Sequence, residues 1–187
     1  MPKRDAKQDL RVKRTLKNIR SAFYDLILEK DYNSISITEL TEKADINRKT
    51  FYLHYNSISD LTKEIEQEIL TELSGKFSHM DNPDDITECI SIFYHYLEEG
   101  SPVIRKLLCD AEYKFFYSRL TTDLLETTFF RKFYTFTECP DLVRAYCITI
   151  STMYRSWANQ GRVMPLDQLI EYAGKLVLNG YSSVKIS

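Results

Sequence analysis

The sequence predicts an all-α protein, and three observations carry that prediction. Apolar residues recur at intervals of three and four along most of the 187-residue chain, the period of one-faced helices. Ser or Asn precedes many of these segments, at the position where a side chain caps the first free amides. The five glycines and five prolines stand nearly all at segment ends, and no alternating apolar–polar run suggests a strand.

The first helix is marked by Val12, Leu16, Ile19, Phe23, Leu26 and Ile27 on one face, with Lys13, Lys17 and Arg20 as a basic stripe on the other. The stretch 31–36 breaks it, because Asp, Asn and Ser offer the backbone side-chain partners. Ser36 and Glu39 then have the spacing of a capping box, which predicts a short helix over 37–44. Asp45 and Ile46 form a turn, and Asn47 caps a second short helix that reaches about Leu53. Ser57 and Asp60 repeat the cap for a long helix carrying Leu61, Ile65, Ile69 and Leu73.

Periodicity is lost over 75–83. Asn82 with Pro83 at the first helical position restarts a helix, which Gly100 ends. Ser101 and Pro102 repeat that start for a short helix to Cys109. Residues 112–136 read as one aromatic-rich helix interrupted near Thr127 and Thr128. Its limit is Cys139-Pro140, since the residue before proline avoids the helical region. Two final helices, 140–160 and 166–178, are separated by Gly161 and Pro165 and closed by Gly180, for eight to ten helices in all.

Charge is segregated along the chain. The net charge is -2, yet residues 1–63 hold 13 Lys and Arg against 9 Asp and Glu, and the remainder holds 12 against 18. Residues 1–20 alone carry eight basic and two acidic side chains. A basic arm on an acidic body is one footprint of a DNA-binding module joined to a sensing or assembly module; a charge run alone is equally a solvated tail. No apolar stretch is long enough for a membrane span, and no signal-peptide core opens the chain, so a cytoplasmic protein without a membrane partner is expected. Cys89, Cys109, Cys139 and Cys147 lack CxxC spacing, and His54, His79 and His95 form no ligand pair. No catalytic residue, metal or cofactor is expected.

Two short helices joined by a tight turn behind a longer basic helix make a helix-turn-helix arrangement. Its second short helix contains NRKTFYLHY, residues 47–55, where two cations and three rings crowd little more than two turns. The surrounding SITELTEKADINRKTFYLHYNSISDL, residues 36–61, resembles the N-terminal signature of the TetR family of bacterial transcriptional regulators. Leu40, Ala44, Ile46, Thr50, Phe51, Tyr52, Tyr55, Ser57 and Leu61 carry the resemblance, without a gap.

The resemblance implies a DNA-binding domain over 10–56, after an N-terminal arm of 1–9, and an effector-binding and dimerisation domain over 57–187, with 57–74 as the connecting helix. It implies that Arg48, Lys49 and Thr50 face the major groove, and that Tyr52 and His54 hold phosphates. Phe51 and Tyr55 anchor the helix, and Leu53 meets a thymine methyl. Thr38 on the preceding helix is a further DNA contact, although many members have a longer side chain there. Asp45 replaces the usual turn glycine, which Asp tolerates because it visits the left-handed region. Ile58 stands where the family usually has a phosphate-binding lysine, a loss for which the arm, with Lys3 and Arg4, compensates.

The remaining two thirds carry no transferable motif. The aromatic excess over 113–136 can line a ligand pocket or fill a core; the candidates for a small-molecule effector are Tyr113, Phe116, Tyr117, Phe133, Tyr146 and Trp157. Apolar residues wrap widely around the last two helices, which suggests a second buried face. In the family these helices form a homodimer that reads a pseudo-palindromic operator on double-stranded DNA. The functional expectation is a repressor released by an effector; the alternative is a co-regulator or activator whose C-terminal domain binds a partner protein.

Overall fold

A computed structural model describes residues 3–80, 82, 85–135 and 137–182, with side chains described over 9–180 within that set. The chain divides into two compact units, 1–65 and 66–187. The division falls within the helix expected to connect the two domains.

In the first unit, helix α1 (Lys3–Glu29) presents Ile19, Phe23, Leu26 and Ile27 to a core completed by Leu40, Phe51 and Leu61. Residues 3–9 of the expected arm are helical in their backbone, while the side chains of Lys3 and Arg4 lie outside the described residues. Val12, 37% exposed, leaves the expected apolar stripe, whose buried members begin at Ile19. Helix α2 (Ile37–Lys43) and helix α3 (Arg48–Tyr52) follow, and α4 (Ile58–Phe77) leads from this unit into the next. Before α4 the Ser57 half of the expected cap forms, with Ser57 Oγ accepting from the Asp60 amide at 3.2 Å, while the Asp60 carboxylate reaches back one residue further and accepts from the Asn56 amide at 3.1 Å.

The second unit holds α5 (Ile86–Glu99), α6 (Pro102–Cys109), a 3-10 turn (Ala111–Tyr113), α7 (Lys114–Leu125), α8 (Thr128–Tyr134), α9 (Pro140–Asn159) and α10 (Leu166–Ser182). The expected all-α class and the count of eight to ten helices agree with these ten. Three boundaries differ. Helix α4 continues through Gly75 because Phe77 beyond it is buried at 1% exposure, so packing outweighs the lower helix propensity of glycine. Asn82 and Asp85 close a turn in which the Asp85 carboxylate accepts the Asn82 amide at 3.0 Å, and α5 starts only at Ile86; Pro83 lies outside the described residues. Helix α10 runs through Gly180, where a Cβ would collide with the Tyr146 phenol.

Helix α10 packs chiefly along α5. Gly174 permits that close approach, since a Cβ there would stand 2.8 Å from Thr87 Cγ2. Aromatic rings fill much of the interior: Phe129 meets Phe77, Phe130 and Phe133 with centroids 5.0–5.3 Å apart, and Tyr94 meets Tyr154 at 5.1 Å. No helix among the described residues is long and apolar enough to cross a membrane.

Candidate functional site

The α2–α3 turn determines what α3 displays. Helix α2 starts with Ser36 Oγ accepting the Glu39 amide at 3.2 Å. The Glu39 carboxylate pairs with Lys30, so only half of the expected capping box is shown. At the other end, Asp45 has φ 54°, the left-handed conformation expected of it. The Ile46 amide donates to Thr41 O at 3.0 Å and the Asp45 amide to Glu42 O at 3.1 Å. That pair of bonds is a Schellman ending, which satisfies the last carbonyls of α2 and reverses the chain.

Asn47 then caps α3, its Oδ1 accepting the Thr50 amide at 2.8 Å and the Thr50 hydroxyl at 3.1 Å. Phe51 is fully buried and Tyr55 nearly so, their rings 5.6 Å apart. Burial first, then the Glu64 carboxylate, pushes the Tyr55 phenol up to about 12, so it stays neutral. Glu64 also pairs with Arg20 of α1. These contacts fix one side of α3 against the unit's core.

The opposite side faces solvent. Arg48 and Lys49 are exposed, as are Tyr52 at 47% and Leu53 at 79%. Thr38 is exposed, and His54 and Thr50 are half-buried. An apolar residue as open as Leu53 between an aromatic and a histidine does nothing for the unit's own stability.

Beside α3 runs an open polar cleft lined by Arg11, Arg14, Thr15 and Asn18 of α1 together with Asn47 and Thr50. In the sequence Arg11 and Arg14 belong to the basic run over 1–20, and Asn18 carries no signal of its own. Which turn of α1 lies alongside α3 is a tertiary fact. Glu42 and Asp45 also border the cleft, which leaves it mixed in charge.

In the second unit, an apolar cavity of about 40 Å³ is bordered by Phe77, Ile90, Phe93, Leu124, Phe130 and Ile150, with the thiols of Cys89 and Cys147 and the residues Thr121 and Ser151 among its remaining walls. Burial raises both thiols, that of Cys147 to about 12. The six rings nominated for an effector do not border it. Tyr113 and Phe116 are fully buried elsewhere in the core, Phe133 packs on Phe129, and Tyr146 covers Gly180. Trp157 lies on Tyr154 and donates its indole N–H to Met164 O at 2.8 Å. Tyr117 stands behind the wall, next to Thr121 and Ser151. Ring spacing on a helix does not tell a cavity wall from the solid core beside it.

Helices α9 and α10 carry the second apolar face expected of them. Leu142 and Ile148 on α9 are 48% and 47% exposed, and Tyr172 and Leu176 on α10 are 43% and 57% exposed. Leu169, Ile170, Ala173 and Val177 are buried on the inner side.

No family model matches the chain. Over 80 residues it is 34% identical to YxbF, an uncharacterised HTH-type transcriptional regulator of Bacillus subtilis (strain 168). The match covers 42% of this chain and 21% of that protein, so the chain spans about a fifth of the length of the curated relative. Among solved structures it is similar to a TetR transcriptional regulator from Streptococcus agalactiae 2603V, with a TM-score of 0.75 and 21% identity over 92% of this chain and 98% of the other. It is also similar to the dihydroxyacetone kinase operon activator DhaS, with a TM-score of 0.57 and the same identity and coverage. The helix-turn-helix geometry and these likenesses agree: the chain has the all-α fold of the TetR-type transcriptional regulators.

Proposed function

We propose that the protein is a sequence-specific DNA-binding regulator of transcription whose α3 enters the major groove. The observation that carries this reading is the two-sidedness of α3: Phe51 and Tyr55 anchor it, while Arg48, Lys49, Tyr52 and Leu53 project together into solvent. Arg48 and Lys49 match the acceptors of guanine, and Tyr52, His54 and Thr38 match backbone phosphates. A good bidentate base contact discriminates by about 1–3 kcal/mol.

The active species is a homodimer joined through α9 and α10, whose exposed Leu142, Ile148, Tyr172 and Leu176 need a partner surface. Two-fold symmetry then pairs with a pseudo-palindromic operator. Regulation is repression relieved by an effector that prefers the non-binding conformation and lowers operator affinity by its differential affinity for the two states. Activation with a partner protein is the second reading, favoured by the small size of the cavity, about 40 Å³.

Footprinting on the DNA next to the protein's own gene tests the first statement. Protection of a two-fold-related sequence is expected, with Arg48→Ala relaxing sequence preference and Tyr52→Phe weakening all sequences alike. Equal binding by these variants and the wild type would remove α3 from the interface.

A further inference from the structure

Three sulfur atoms gather in the second unit, although Met80, Cys89 and Cys147 share no motif spacing. Cys89 on α5 and Cys147 on α9 both border the apolar cavity of about 40 Å³. Cys89 is 3% exposed and Met80 1%, and the Cys89 thiol donates to Met80 Sδ at 3.2 Å. Cys147 is close enough that charge on its sulfur opposes charge on Cys89. Neither thiol is joined in a disulfide.

What this cluster can take is set by its donors and their surroundings. Among the described residues, no carboxylate or imidazole borders the cavity, and no three His, Cys, Asp or Glu side chains gather to hold a metal ion. Zinc in a structural site takes four such ligands and has no set of them here. A thiol beside a thioether is instead the donor pair that selects Cu(I) and similar soft ions. The carboxylates of Asp85 and Glu88, outside the cavity, add negative charge that acts on Cys89. The Cys89 proton already lies between two sulfurs. A cation that replaces it inherits both, and the adjoining cavity gives the sulfurs room to part.

We propose that Met80, Cys89 and Cys147 bind one soft monovalent cation, of the class of Cu(I) or Ag(I), at the edge of this cavity. Cys89 gives up its proton to solvent and bonds the ion as a thiolate. Met80 Sδ and the Cys147 sulfur, which keeps its proton, each add a lone pair, and no electron is transferred. One positive charge enters as one leaves, so the site stays uncharged, as burial among apolar walls demands. Burial raises the Cys147 thiol to about 12, in keeping with the retained proton. The site goes beyond the DNA-binding reading and does not depend on it.

The test is anaerobic titration of the full chain with Cu(I), without DNA, in a Cys139→Ser background that removes the exposed thiol. Copper retained after desalting is measured by atomic absorption, and its affinity by competition with bicinchoninate. One ion per chain is expected, with a thiolate-to-Cu(I) charge-transfer band in the ultraviolet, and Zn(II) should not be retained. Cys89→Ser should abolish both retention and the band. Met80→Leu and Cys147→Ser should each weaken binding by about tenfold or more. Unchanged affinity in Met80→Leu, a swap of similar volume that cores tolerate, would overturn the proposal even if a serine variant failed to fold. So would copper retained by a folded Cys89→Ser chain, no copper retained by the parent, or zinc held as firmly as copper.

Discussion

Arg119 places both Nε and Nη2 on a single oxygen of Glu66, at 3.0 and 2.6 Å. The Glu66 side chain is 4% exposed and that of Arg119 38%. The bond joins α7 to α4 inside the second unit, and it supplies a buried carboxylate with the paired donors that make its burial tolerable. Arg119→Ala should therefore destabilise by about 2–4 kcal/mol, whereas replacing both residues with leucine should recover most of that loss. Urea unfolding of the two single variants and the double variant measures the coupling, and additive effects would show that the pair does not act as a unit.

The α2–α3 turn makes opposite demands on neighbouring residues. Asp45 sits at φ 54°, where glycine is free of strain, so Asp45→Gly should be neutral or slightly stabilising and Asp45→Val should destabilise by about 1–3 kcal/mol. Asn47→Ala removes the cap of α3 and should cost about 1 kcal/mol, while Asn47→Asp should retain it. Thermal unfolding of these four variants orders them by mechanism.

Arg11 and Arg14 border the cleft beside α3, and Ile58 withholds the lysine common at its position in the resembling family. If the arginines grip the DNA backbone in its place, Arg11→Ala and Arg14→Ala should each reduce the slope of log K against log salt by about 0.9, with the ratio of specific to non-specific affinity unchanged. Fluorescence anisotropy over a salt series reads both quantities. A changed ratio would instead assign these residues to base contact.

Leu142 on α9 and Leu176 on α10 are about half exposed. Leu142→Asp and Leu176→Asp should convert a dimer into a folded monomer, seen by light scattering with an unchanged helical circular dichroism signal. Trp157 is unsuited to this test, because it is 7% exposed and holds the α9–α10 connection through Met164. A dimer that survives both aspartates places the interface elsewhere.

The helix-turn-helix was legible in sequence because its determinants are local. Ser36, Asn47 and Ser57 cap within three residues of themselves, Asp45 sets its own φ, and Phe51 and Tyr55 sit one turn apart. The second unit was legible only as helices. Gly75 and Gly180 read as terminators, yet Phe77 and Tyr146, packing across the fold, carry both helices through them. The effector candidates Tyr113, Phe116, Tyr117, Phe133, Tyr146 and Trp157 are rings at helical spacing, and that period is shared by cavity walls and solid core.

The sequence by itself determined the all-α class, the order of the helices and the residues that α3 turns to solvent, because periodicity, caps and turn chemistry act between near neighbours along the chain. That Arg11 and Arg14 flank α3 and that Glu66 meets Arg119 follows from the tertiary packing alone. Those relations join residues tens of positions apart, and whether a buried donor finds an acceptor depends on the packing of every helix around it.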